Sequence, residues 1–378
     1  MCLESFTIQL SANSNLLKWI ALTSLLSAAS WAHVYTIPLF ATNAQKLKNP
    51  LNITLYELVE SDDVYPKCDK PEDTLCGLVW VKLVFFIGFG FSQYSMGFLA
   101  DKFGPYQVLK IVIKLLIMSG IAATLSSNIY VFCTMWFMVA YTCTAVFLLS
   151  ISQVLEQLDE KTNGWKWRLL VGSSYQMSWI LGRCMSNFII YILNDWVDVM
   201  LTVTLILTCL LFALEKQIWT KEFTYRQRYS NPVKALVKTK GSNVLNIILL
   251  SLTWFVLGFN YYGNMNNFDN NVADSNKTFE HFLLQTLLAI VAKMLALFIC
   301  LFVHRKCFPM TFIQVMLAIT YFVLLAYDPE HIDKTETNSL FSPVNILMFL
   351  THLTTFWVSA SFELIWIITP ETFPREYR

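Results

Sequence analysis

Gly97-Phe98-Leu99-Ala100-Asp101-Lys102-Phe103-Gly104 interrupts two long apolar runs with a short polar turn. The run before it, 78–100, is long enough to cross about 30 Å of hydrocarbon, and the next, 108–125, begins almost at once. This spacing predicts a sharp hairpin at a membrane face. Gly97 and Gly104 are expected to let the helix ends approach closely, Asp101 to sit at the positive end of a helix dipole, and Lys102 to place positive charge on one side.

Composition points the same way. Of 378 residues, 56% are apolar and 14% charged, against about 25% charged in a soluble domain. A net charge of +1 gives no reason to expect a nucleic-acid partner, so the placement of charge matters more than its sum. Apolar spans fall near 16–40, 79–100, 108–126, 129–152, 168–190, 196–214, 244–262, 281–303, 311–327 and 344–369. The expectation is an all-α polytopic membrane protein of about ten transmembrane helices. An N-terminal six-helix half covers 1–214 with an extracellular loop at 41–78, a cytoplasmic central loop covers 215–243, and four helices follow in 244–378. Lys216, Lys221, Arg226, Arg228, Lys234, Lys238 and Lys240 mark the central loop as cytoplasmic, and alternation then puts both termini inside. The opposite loops are acidic, with Glu57, Glu60, Asp62, Asp63 and Asp69 in the first.

Asn52-Ile53-Thr54 and Asn276-Lys277-Thr278 are glycosylation acceptor patterns in the two sizeable outer loops, which predicts a glycoprotein. Cys68 and Cys76 are the only cysteines in a loop predicted to be extracellular; they either bridge there or stay free. Cys133, Cys143, Cys184, Cys209 and Cys300 lie in apolar runs and read as small hydrophobes. The first span reads as an uncleaved helix, because residues 1–17 contain no basic residue and the apolar region exceeds a signal peptide's.

The G-F-L-A-D-K-F-G turn resembles the signature loop between the second and third helices of the major facilitator superfamily, G-x-L-a-D-r-x-G-R, and departs from it at Pro105, Tyr106 and Gln107. Trp254-Phe255-Val256-Leu257-Gly258-Phe259-Asn260-Tyr261-Tyr262-Gly263 is similar to the run that opens the C-terminal half in the organic cation and anion transporter branch, solute carrier family 22. The resemblance implies that Trp254, Tyr261 and Tyr262 bind an organic ion, whereas an interfacial aromatic belt is the plainer reading of the same residues. Glu156 with the Trp167-Arg168-Leu169-Leu170-Val171-Gly172 entry resembles the branch's acid and R-x-x-x-G pair, and Asp195-Trp196 its D-W pair. Glu371-Thr372-Phe373-Pro374 with Arg378 resembles the E-x-[FY]-P-T-x-x-R motif. By that resemblance Glu156, Arg168, Glu371 and Arg378 join Asp101, Gly97 and Gly104 in a conformational gate on the cytoplasmic side.

Ionisable residues inside the spans are the remaining site candidates, because each costs about 2.5–3.5 kcal/mol on insertion unless it faces a cavity or a partner. Arg183, Lys293 and Glu363 qualify, whereas Lys82, Lys110 and Lys114 lie near span ends and can snorkel. Val291-Ala292-Lys293 resembles the P-A-K run of the organic anion members, which implies attraction of an anion. Two readings stay open: Lys293 serves an anionic solute, or it pairs with Glu363 and leaves no net attraction.

Branch features are also missing. Trp136, Phe137 and Ala140 stand where an R-F-x-x-G context is expected, 214–219 replaces P-E-S-P-R-W-L, and the C-terminal half is expected to be incomplete, lacking its last two helices. The sequence contains no P-loop, no H-E-x-x-H, no G-x-S-x-G and no spacing of His33, His281, His304, His331 and His352 suited to a metal. The expectation is therefore no enzyme, no cofactor and no metal. It is a monomer in the plasma membrane that moves small organic ions, slightly favouring anions, by alternating access. The rival reading is a divergent, non-transporting membrane protein that binds a solute or a partner.

Overall fold

The structure is a computed structural model that describes residues 14–41, 75–126, 128–156, 164–193, 196–218, 241–271, 275–303, 307–326 and 343–372. Among these the chain forms ten helices: α1 Ser14–Ala41, α2 Leu75–Phe103, α3 Pro105–Thr124, α4 Ile129–Glu156, α5 Gly164–Leu193, α6 Trp196–Ile218, α7 Gly241–Asn271, α8 Ser275–Phe302, α9 Cys307–Ala326 and α10 Pro343–Thr372. Helices are what apolar spans must form in lipid, since each satisfies its backbone hydrogen bonds internally.

Six of the described helices contain stretches long and apolar enough to cross a membrane: Leu83–Phe103, Pro105–Thr124, Tyr130–Leu155, Val197–Glu215, Leu283–Phe302 and Cys307–Ala326. The other four are α1, α5, α7 and α10. In α7 the apolar stretch Ile248–Tyr261 is shorter, and α1, α5 and α10 carry polar residues, many of which face the protein interior. Thr23, Ser24, Ser27, Ser30 and His33 of α1 are buried, as are His352, Thr354, Ser359, Ser361 and Glu363 of α10. Large apolar side chains such as Phe91, Phe98, Phe188, Phe259 and Phe322 are exposed instead, as a surface in contact with lipid tails requires.

Packing divides the chain into two compact units, one of Met1–Trp167 with Ser174–Tyr229 and one of Arg168–Ser173 with Ser230–Arg378, so a short stretch of α5 belongs to the second. In the first unit α4 packs against α1, α2 and α3, while α6 packs on α1 and α3. Small residues set the closest approaches. A Cβ added to Gly88 of α2 would lie 2.6 Å from the Phe137 carbonyl of α4, and one added to Gly182 of α5 would lie 2.5 Å from the Ala28 carbonyl of α1. In the second unit α10 packs against α7, α8 and α9 around Leu257, Ala292, Ala296, Ile313 and Leu364, with Leu169 of α5 in the same core.

The predicted hairpin is present but tighter and later than the spacing implies. α2 continues through Asp101 and Lys102 to Phe103, so the turn between α2 and α3 is Gly104 alone, at φ 88° and ψ 135°. Pro105 at the first position of α3 cannot prolong α2, and only glycine adopts that φ without strain. The Gly104 N–H donates to Ala100 O at 2.9 Å and closes α2. Gly97 therefore lies inside α2, and a Cβ there would meet nothing within 4 Å, so its expected close approach is not found. Asp101 occupies the last turn of α2, the negative end of its own helix, with its side chain exposed.

A second correction concerns Asn276. The sizeable outer loop expected around it is instead helical on both sides, with α7 reaching Asn271 and α8 starting at Ser275. The segment contains no proline to stop either helix, so the backbone ladder continues past the apolar residues.

Candidate functional site

In the second unit the packing of α8 on α10 brings together two charges. Lys293 of α8 is 5% exposed and Glu363 of α10 is fully buried. They interact electrostatically, and the Ser173 hydroxyl of α5 is the carboxylate's other polar neighbour. Neither neighbour closes a strict hydrogen bond to a Glu363 oxygen. Opposite charges in one apolar interior reduce each other's desolvation cost. Burial of both groups in one unit, with an electrostatic interaction between them, is compatible with either of the two readings that the sequence leaves open.

The aromatic candidates of α7 lie in the same unit and are engaged with α10. Trp254 and Tyr261, seven residues apart on one helix face, both pack on Phe362, with ring centroids 6.0 and 5.1 Å away. Trp254 also meets Trp366 edge to face at 5.2 Å, and its Nε1–H donates to Thr369 Oγ1 at 3.1 Å. On the other side of α10, Gln314 Nε2 of α9 donates to Ser361 Oγ at 3.0 Å.

Arg183 belongs to the first unit. It lies half-buried in the α5 segment assigned to the first unit, where its carbonyl accepts a bond from Asn187 Nδ2 at 2.8 Å. Arg168, at the start of α5, is half-buried in the stretch assigned to the second unit. The side chains of Tyr262, Glu156, Glu371 and Asn276 lie outside the described residues, although their backbones belong to α7, α4, α10 and α8. Asn52, Cys68 and Arg378 lie outside the described residues altogether, whereas Cys76, expected in the loop 41–78, has its backbone in the first turn of α2 with its side chain outside the described residues. No group of three or more His, Cys, Asp or Glu side chains able to hold a metal occurs among the described residues.

Several polar contacts in the first unit have no counterpart in the sequence reading. Tyr175 of α5 donates its hydroxyl to Thr23 Oγ1 of α1 at 2.6 Å. Trp31 of α1 lies against Trp179 of α5 with ring centroids 3.9 Å apart, and meets Phe147 of α4 edge-on at 5.9 Å. His33 sits fully buried with Nδ1 3.4 Å from Met200 Sδ and Nε2 3.4 Å from Thr204 Oγ1. Lys114, read as a snorkelling residue, lies 3.6 Å from Glu215 of α6 in an ion pair at the protein surface. Serine, threonine and tryptophan are ordinary in apolar helices, so no sequence pattern marks those that meet across helices; Glu215, at the end of a span, was the one available cue.

No family model matches this sequence, and no curated protein matches it. Solved structures do. A double-tryptophan mutant of XylE superposes with a TM-score of 0.68 at 15% identity, covering 96% of this chain and 83% of that one. The proton:xylose symporter XylE bound to 6-bromo-6-deoxy-D-glucose gives 0.64 at 15% identity over 97% of this chain and 84% of that one. The inward-open xylose transporter XylE from E. coli gives 0.55 at 12% identity over 95% and 90%. At such identities the similarity concerns the backbone architecture, which these chains share along nearly the whole of this sequence. The chain is an all-α, multi-pass membrane protein with the major facilitator fold.

Proposed function

We propose that this chain carries a small organic solute across the membrane by alternating access, without covalent chemistry. The observation that carries the reading is the Lys293 and Glu363 pair, two ionisable groups held in the interior of the second unit by helices whose outer faces are apolar. Charges retained in such a place are expensive and mark a solute or ion path more often than a structural need. The fold shared with a proton:xylose symporter supports transport as the activity.

The solute class follows less directly. An organic ion, with a slight preference for anions and a place in the organic cation and anion transporter branch, rests on Lys293 and on the α7 run Trp254, Tyr261, Tyr262. With Glu363 beside it, Lys293 exerts little net attraction, so an anion must displace that carboxylate as its partner. We place the carrier in the plasma membrane, as a monomer with both termini cytoplasmic.

The test is uptake in cells expressing the chain, with surface expression measured, using labelled anions, cations and pentoses beside Lys293→Ala and Glu363→Gln. Saturable uptake altered by both variants supports the reading. Absence of uptake from protein that reaches the surface removes it in favour of a non-transporting solute- or partner-binding membrane protein.

A further inference from the structure

The first unit holds a row of polar and aromatic side chains, four of whose hydrogen-bonding groups have no partner among the described residues. Ser24, Ser27 and Trp31 repeat at three and four residues along α1, so they share one face. Ser150 stands one turn beyond Phe147 on α4, and Tyr175 and Trp179 stand one turn apart on α5. The face is pinned at both ends, by the Tyr175 to Thr23 bond at one and the Trp31 and Trp179 contact at the other. Between Thr23 and Trp31 an α-helix rises about 12 Å, the scale of a small ring solute.

Ser24 Oγ, Ser27 Oγ, Ser150 Oγ and Trp31 Nε1 are shielded from water and have no hydrogen-bond partner among the described residues. The three side chains of serine and that of Trp31 are each at least nine-tenths buried. Their neighbours behave differently. Thr23, Ser30, Thr142, Thr144 and Ser178 all donate to a carbonyl of the preceding turn, the ordinary way a hydroxyl is satisfied in an apolar helix. Hydroxyls that decline that bond and find no other are costly to keep in a membrane interior.

We infer that this face of α1, α4 and α5 is a binding surface for an uncharged, oxygen-rich ring solute such as a sugar or cyclitol, packed shut in the structure described here. Hydroxyls and an indole N–H are uncharged donors that match hydroxyl and ether acceptors, and the half-exposed Trp179 ring offers a face for the solute's C–H side. Opening the contact between the two tryptophans exposes the row, and the solute then supplies the acceptors that the fold does not. The inference rests on the carrier reading above and takes the solute class from donors instead of from the Lys293 charge.

The experiment is equilibrium binding of tritiated D-xylose, D-glucose and myo-inositol to the purified full chain in nanodiscs, with benzoate as an anionic probe and uptake measured separately. Saturable binding of at least one neutral probe is expected. Ser27→Ala with Ser150→Ala should raise its Kd roughly tenfold per hydroxyl, and Trp179→Ala should abolish binding. The serine variants should melt at or above the wild-type temperature, since they delete unpaired groups. No neutral probe binding, an unchanged Kd in the double variant, a melting temperature several degrees lower, or binding of benzoate alone with loss in Arg183→Ala would each overturn the inference. Binding without uptake keeps the surface and removes the carrier; uptake indifferent to the hydroxyls keeps the carrier and removes the surface.

Discussion

Gly182→Ala should force α1 and α5 apart. The added Cβ would lie 2.5 Å from the Ala28 carbonyl oxygen, 2.7 Å from Trp31 Cβ and 3.1 Å from the Ala32 nitrogen. None of these is the end of a flexible side chain, so rotamer changes cannot relieve the overlap. Ordinary contact needs about 3.5 Å, which requires the two helices to separate by roughly 1 Å. Overpacking costs about 1–3 kcal/mol, and an overlap against backbone belongs at about 2–3 kcal/mol; alanine's better helix propensity returns about 1 kcal/mol, for a net loss of about 1–2 kcal/mol. The assay is thermal unfolding of the purified protein, with Gly97→Ala as an internal control because a Cβ there meets nothing within 4 Å. Gly182→Ala should melt a few degrees lower, whereas Gly97→Ala should match or exceed the wild type. The Trp31 and Trp179 contact at 3.9 Å should loosen with the backbone that carries it, changing the near-ultraviolet circular dichroism. Equal melting temperatures for wild type and Gly182→Ala, or an equal drop for Gly97→Ala, would refute the account of the helix contact.

The other predictions concern charge and backbone. Lys293→Ala alone leaves Glu363 buried without its countercharge and should cost about 3–5 kcal/mol, while Lys293→Met with Glu363→Leu should recover most of that loss in the same melt. Gly104→Ala places a Cβ at φ 88° and ψ 135°, outside the left-handed helical region as well, and should cost about 1–3 kcal/mol; a melt in which alanine is neutral would contradict the turn. Lys114→Ala should cost less than about 1 kcal/mol in the same melt, because a single pair at the protein surface contributes little; a loss of several kcal/mol would contradict that placement.

The sequence carried the helices more faithfully than their ends. Apolar runs at 79–100 and 108–126 became α2 and α3, yet neither Phe103 as the last residue of α2 nor the helical continuation of α7 to Asn271 follows from hydropathy, because a helix persists through polar residues until its geometry is blocked. At Gly104 and Pro105 the block was legible, and the glycine needed was the second of the motif rather than Gly97. Lys293 and Glu363 stood out because an ionisable residue in an apolar run is conspicuous in one dimension. The donors of α1 and α4 did not. Ser24 and Ser30 are the same residue type on the same helix, but Ser30 donates to Leu26 O and Ser24 has no partner among the described residues, a difference decided by packing across helices.

Gly104 also determines how α2 and α3 meet a bilayer. Phe103 and Pro105 are two peptide steps apart, at most about 7 Å, so the last residue of one helix and the first of the next are held at nearly the same depth. Neither helix can slide along the other to suit a thicker or thinner membrane. Hydrophobic mismatch must then be answered by tilting both together, which makes the pair respond to lipid thickness as one lever.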